Sequence, residues 1–164
     1  MALDGTNGHG QPHTDRMPDG TPFFICDAER EFIGAALLCE SADVLAATLD
    51  RNDFRDKHLG VIWAAIVKGA SEGNPGIVNT AWHLNQAGVL DKVGAETFLV
   101  ELAGKALVEQ HFPHLALRTH PVMIKEWALR RRGLERAGVM AQQAMNGRVR
   151  VPVWERPEYQ GELG

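Results

Sequence analysis

The 164-residue chain predicts an all-α fold, a helical bundle. Three observations carry this. Apolar residues recur at helical spacings of three and four along most of the chain. No segment sustains the apolar–polar alternation of a strand packed on a core. Turn formers such as Gly73-Asn74-Pro75-Gly76 separate the periodic stretches.

The segments follow in order. Residues 1–22 are rich in Gly, Pro, His and Asp, without apolar periodicity, and predict a disordered leader. They contain no apolar run and so do not resemble a signal peptide. Residues 23–146 are expected to form the helical domain. Order is expected from near Asp27, which can cap a helix starting at Ala28 and burying Phe32, Ile33, Ala36 and Leu37. Ser41 can cap a short second helix with Leu45 and Leu49 inward, ended by Asp53-Phe54. Asp56 can cap the strongest helix, whose Leu59, Ile62, Trp63 and Ile66 make one apolar stripe. Asn79 or Thr80 can cap a fourth, carrying Trp82, Leu84 and Ala87 and ending at Gly88. A fifth begins near Gly94 and buries Phe98, Leu99 and Leu102. Gly104 to Thr119 reads as less regular. The last long helix is expected from about Pro121, tolerated in a first turn, to Met145. Residues 147–164, with Pro152 and Pro157, predict an irregular tail.

Composition narrows the function classes. With 45% apolar and 23% charged residues, the chain can build a core that needs neither metal nor disulfide. Cys26 and Cys39 lack zinc or redox spacing and read as ordinary thiols of a cytoplasmic protein. No apolar run is long enough to span a membrane. A formal net charge of −4 argues against nucleic-acid binding over the whole surface, though a local basic face is compatible with it.

The catalytic signatures are absent from the sequence. The nearest string to a phosphate loop, Ala103-Gly104-Lys105-Ala106, lacks the upstream glycine and the hydroxyl that would ligate magnesium. His111 and His114 make an HxxH pair with His120 nearby. Pro113 interrupts it and no cysteine lies close, so exposed loop histidines are the reading. Glu29, Glu31, Glu96, Glu101 and Glu126 are explained as caps and solvated faces. No cofactor and no catalytic residue is expected. The distinctive charge feature is Lys125, Arg130, Arg131, Arg132 and Arg136 on the last helix. It reads either as a solvated surface or as a contact with an acidic partner or a DNA backbone. Val122, Ile124, Trp127, Leu129 and Leu134 nearly surround the same helix, which fits deep burial or packing on another protomer.

Taken together, the segments from about Pro22 to Ala144 resemble the N-terminal domain of the DnaB-type replicative helicase. The resemblance rests on Ala28-Glu29-Arg30-Glu31-Phe32-Ile33-Gly34-Ala35-Ala36-Leu37-Leu38, then Asp53-Phe54, His58 and Ile62-Trp63. It continues through Gly73-Asn74-Pro75 with Thr80, Gly88-Val89-Leu90 with Val93-Gly94, and Phe98-Leu99 with Leu102. It ends in Lys125-Glu126 with Arg131-Arg132. The departures are Ile77 for an acidic residue, Ala95 for a glycine, and His120 for a tyrosine followed by Pro121. The family continues into a RecA-like motor at the point where this sequence stops.

The resemblance implies a head and a two-helix hairpin that pair into a six-membered collar receiving primase, helicase or loader proteins. By that resemblance the hairpin helices are Gly94 to Gly104 and Pro121 to Met145. Trp127 and Leu134, with Arg131 and Arg132, are the candidate protein-interface residues, and plain core packing is the alternative for the apolar pair. Lys125, Arg130 and Arg136 are the candidate nucleic-acid contacts. The expected function is a non-catalytic interaction module of DNA replication that forms homo-oligomers and meets DNA only indirectly. A split or truncated subunit of an ATP-dependent helicase and a DNA-binding module are the alternatives.

Overall fold

The computed structural model describes residues 16–109 and 112–147. The described residues form six α-helices: α1 (Phe23–Ala36), α2 (Ser41–Ala46), α3 (Lys57–Ser71), α4 (Ile77–Gln86), α5 (Ala95–Glu109) and α6 (Pro113–Met145). Single 3-10 turns at Arg51–Asp53 and Asp91–Val93 join them. The only β feature among these residues is an isolated bridge between Arg16 and Pro22. The fold is therefore all-α, as the periodicity predicts. Residues 1–15 of the expected leader, and the expected tail after Gly147, lie outside the described residues.

The chain divides into two units, Met1–Ala128 and Leu129–Gly164, with the boundary inside α6. The first unit holds the core. Phe32 of α1 meets Trp63 of α3 at 4.9 Å between ring centroids, tilted by 58°. Phe54 packs on both, at 6.0 Å from Phe32 and 6.3 Å from Trp63. Tilted aromatic contacts of this kind add stabilisation beyond the area they bury. The Trp63 Nε1–H donates to the Leu49 carbonyl at 2.8 Å, so burying the indole strands no donor. Leu59, Ile62, Ile66, Leu84 and Leu99 belong to the same buried core.

Two glycines allow close backbone approaches. A Cβ on Gly34 of α1 would run into the carbonyl of Leu102, so α1 and α5 pack at a distance that only glycine permits there. A Cβ on Gly60 would likewise meet the carbonyl of Arg51.

Several boundaries differ from the sequence expectation. α1 starts at Phe23 after an extended Pro22, so Asp27 lies inside the helix and caps nothing. Pro22 supplies no side-chain cap, and its carbonyl accepts the Ile25 N–H at 3.1 Å. Ser41 falls in the first turn of α2, behind Glu40. In so short a helix Val44 is the buried residue; Leu45 is exposed and Leu49 half-buried. α4 begins at Ile77, after Gly76 at φ 110°, so Asn79 and Thr80 are helical rather than capping. Thr80 Oγ1 donates back to the Gly76 carbonyl at 2.8 Å, and Asn79 Nδ2 to that of Asn74 at 2.6 Å. Trp82 is exposed on the outer face.

The largest correction concerns Gly104 to Thr119, which is helical on both sides of a short connection. Consequently α6 runs 33 residues and carries Pro121 in its interior rather than in its first turn. An interior proline costs about 3 kcal/mol. Burial of Leu117 and Ile124 on either side of it offsets that cost.

Candidate protein-interaction surface

Buried carboxylates tie the first unit together. Glu29 of α1 has almost no exposed surface. Its Oε1 accepts the Arg55 N–H at 2.7 Å and its Oε2 the Asp56 N–H at 3.2 Å. It thus anchors the entry to α3 from another helix, and Asp56 then caps α3 by accepting the His58 N–H at 2.9 Å. Asp53 is fully buried. Its Oδ2 accepts the Asp50 N–H at 2.8 Å and also lies 2.8 Å from Lys125 Nζ. His120 Nε2 lies 2.8 Å from Glu31 Oε2. The early part of α6 is therefore fixed to the head through Ile124, Leu117, Lys125 and His120.

Burial resists ionisation of Asp19, but the Thr21 N–H and the Arg55 guanidinium outweigh it and hold the carboxyl below its usual range. Burial, reinforced by Asp43, raises the Cys39 thiol to about 11, and burial also raises Cys26. Both stay protonated near neutrality, the opposite of an activated nucleophile. Among the described residues no three His, Cys, Asp or Glu side chains are grouped to hold a metal ion. His114 sits edge-on to Phe112 with ring centroids 6.0 Å apart, and His111 lies outside the described residues. No helix among the described residues is long and apolar enough to cross a membrane.

The sequence-predicted interface residues are distributed over both units. In the first, Trp127 is half-buried beside Ala128, and Lys125 is committed to Asp53. In the second, Leu134 is 68% exposed, Arg131 and Arg132 are half-buried, and Arg130 and Arg136 are exposed. The second unit's helix is itself amphipathic. Leu129, Gly133, Ala137, Met140 and Ala144 line one side at helical spacing, flanked by Leu134, Ala141 and Met145. Arg132, Glu135, Arg136, Gln142 and Gln143 take the other, with Val139 among them, and Arg130 falls on the apolar side. Its apolar side is exposed from Gly133 to Met145.

Further exposed apolar residues, of which the sequence reading singled out only Val122, lie along α5 and α6. In the first unit, Val100, Leu107 and Val108 of α5 are exposed, as are Phe112, Leu115 and Val122 at and along α6. Val100, Gly104 and Leu107 share a face of α5. Leu115 and Val122 are two turns apart on α6, with Phe112 one turn before Leu115. The signal was the same three-four-seven spacing, inside a stretch interpreted as irregular. Large exposed apolar residues in a file along helices mark an interaction surface. A cleft of about 230 Å³ between α1 and α5 is lined by Asp27, Arg30, Glu31, Glu101, Lys105 and Glu109 around Phe98 and Leu102, and a shallower one of about 560 Å³ lies on α4 beside Val78 and Trp82.

Comparison with known proteins agrees with this architecture. The family model described as "DnaB-like helicase N terminal domain" matches residues 21–118. Among solved structures, the chain is similar to the crystal structure of the N-terminal domain of DnaB helicase from Mycobacterium tuberculosis. The identity is 26% and the TM-score 0.66, covering 84% of this chain and 95% of that one. No curated protein matches the sequence.

Proposed function

Since the chain belongs to the DnaB-like helicase N-terminal domain family, we propose that it is a non-catalytic protein–protein interaction and oligomerisation module of DNA replication. The observation that carries this reading is the exposed apolar file on each of two helices, Val100 and Leu107 on α5 and Leu115 and Val122 on α6, with Phe112 just before α6. A solvated helix pair has no use for such a file, whereas a second copy presenting the same file would bury it symmetrically. A partner docking primase, a replicative helicase or a loader would use the remaining surface of the head. The module serves by itself or together with an ATP-dependent motor.

The test is light scattering coupled to size-exclusion chromatography, followed by pull-down with a cognate primase and helicase. Self-association is the expected result. A chain that stays monomeric across a wide concentration range and captures neither partner would overturn the reading.

A second reading has some support in Arg130 and Arg136, both exposed on the second unit's helix. Direct DNA binding through them would weaken steeply with added salt, because phosphate contacts release counterions. No binding at low salt removes that reading.

A further inference from the structure

A shallow groove of about 560 Å³ lies between the turn after α3 and the outer face of α4, and shares no residue with the apolar file of α5 and α6. Glu72, Asn74, Pro75, Val78, Asn79 and Trp82 line it. Val78 and Trp82, one helical turn apart, are 79% and 53% exposed, while Ala81 and Leu84 make the helix's core contact. An exposed tryptophan beside aliphatic surface is the composition of a binding hot spot. Glu72 is the lining's one charged residue, and its carboxylate is oriented: Oε2 lies 2.9 Å from Nε2 of the buried His83. A carboxylate only accepts, so the proton is on Nε2 and the Nε2–H donates to Glu72. The same ring packs edge-on to Trp82, with centroids 4.9 Å apart. One buried histidine therefore holds both the carboxylate and the indole of the groove.

We propose that this groove binds a short extended segment of another protein, one that carries an arginine between apolar residues. A guanidinium stacks on an indole face and pairs with a carboxylate through its planar fork; an ammonium is a compact point charge that does neither as well. Pro75 and Val78 adjoin these two groups and suit the apolar neighbours of the arginine. The two carboxamides select the extended form. Asn74 is exposed, and Asn79, whose Nδ2 donates to the Asn74 carbonyl, leaves its Oδ1 as an acceptor. Side-chain amides of this kind can pair with backbone N–H and C=O groups, which a helix keeps for itself and an extended segment presents outward. The choice of occupant rests on charge complementarity, a single oriented carboxylate beside an indole. The inference goes beyond the preceding reading, because it requires neither self-association nor the α5–α6 file.

The probe is the blocked peptide acetyl-Pro-Val-Arg-Val-Pro-amide, whose palindromic order suits either direction of binding. It is titrated into the full chain while the tryptophan indole N–H resonances are followed by NMR. The resonance lost in Trp82→Ala identifies Trp82. A saturable shift of that resonance is expected, and lysine or citrulline in place of the arginine should weaken binding by about tenfold. Glu72→Gln still accepts from His83 through its amide oxygen, so it should keep the fold and bring the arginine peptide down to the affinity of the citrulline one. Trp82 is exposed, so Trp82→Ala should keep the wild-type melting curve and lose the peptide. No saturable shift at millimolar peptide, or equal affinity for the arginine and citrulline peptides, overturns the proposal. So does light scattering in which Trp82→Ala or Glu72→Gln impairs self-association, since the occupant is then a second copy. The two readings fail separately: if the peptide does not bind but the chain self-associates, the groove falls and the assembly reading stands. If the peptide binds a chain that is monomeric throughout, the groove stands without assembly.

Discussion

Lys125 Nζ of α6 lies 2.8 Å from Oδ2 of Asp53, a carboxylate with no exposed surface in the turn before α3. The same oxygen accepts the Asp50 N–H. Burying a carboxylate is costly unless cations or donors surround it. Breaking a fully buried pair costs about 3–5 kcal/mol. The Lys125 side chain is 44% exposed, so solvent screening reduces this. Lys125→Met is expected to lower stability by about 1–2 kcal/mol. A urea transition at the wild-type midpoint would contradict it.

Glu29 supports the second prediction. It accepts backbone N–H groups of Arg55 and Asp56 while buried. Glu29→Ala removes the acceptor for both and opens a small void in α1. Hydrogen bonds to a charged group contribute about 1.5–3 kcal/mol each, so a loss of at least about 2 kcal/mol is expected. Glu29→Gln keeps one carbonyl acceptor and should fall between. Chemical denaturation ranks the three proteins, and a glutamine variant no better than alanine would count against the acceptor role.

These contacts show what the sequence could and could not reveal. α3 was legible because its stripe, Leu59, Ile62, Trp63 and Ile66, and its cap, Asp56, lie on one local segment. Glu29 looked like a solvated carboxylate because its partners lie on another element, far along the chain. Lys125 read as part of a basic face for the same reason. The start of α6 was misplaced because Pro121 is a local stop signal, which burial of Leu117 and Ile124 overrides. Once the stretch before Pro121 was taken as irregular, the file at Leu107, Phe112 and Leu115 could not be seen. Trp82 and Leu84 were read together on one helix without assigning either a side, because apolar character alone does not distinguish core from interface.

Asp19 gives a pH dependence. Burial resists its ionisation, yet the Thr21 N–H and Arg55 hold its folded-state pKa below the usual carboxylate range. A group depressed on folding binds more protons when unfolded, so its contribution is fully present above the unfolded value. It is lost as pH falls through the lower, folded value. Urea midpoints measured from pH 6 downward should therefore decline below about 4. Arg55→Met should flatten that part of the decline, and an unchanged slope in the variant would exclude this pair as a contributor.

Cys39 gives a chemical test. Its thiol sits at about 11 against an ordinary 9.0, because burial and Asp43 disfavour the thiolate. Only the thiolate is alkylated, so at pH 8 Cys39 should react about a hundredfold more slowly than an unperturbed thiol. Peptide-level mass spectrometry after brief iodoacetamide treatment reads this directly. Labelling of Cys39 at the rate of a free cysteine standard would refute it.

The apolar file yields the prediction closest to function. Leu107 of α5 is 65% exposed and Val122 of α6 69%, so neither contributes much to the core. Leu107→Asp and Val122→Asp should leave the melting temperature nearly unchanged, since surface substitutions away from special features stay within about 0.5 kcal/mol. If the file is a protomer interface, each places a charge where an apolar contact forms. The dimer dissociation constant should then rise by at least about tenfold, as expected when an interfacial apolar group is replaced by an unpartnered charge. Leu134→Asp, on the second unit's apolar side, tests whether that surface joins the same interface. Light scattering separates the cases: loss of dimer with Leu107→Asp or Val122→Asp places the contact on the file. Loss with Leu134→Asp alone moves it to the second unit's helix. An undiminished dimer in all three means that the file is solvated and that assembly lies elsewhere.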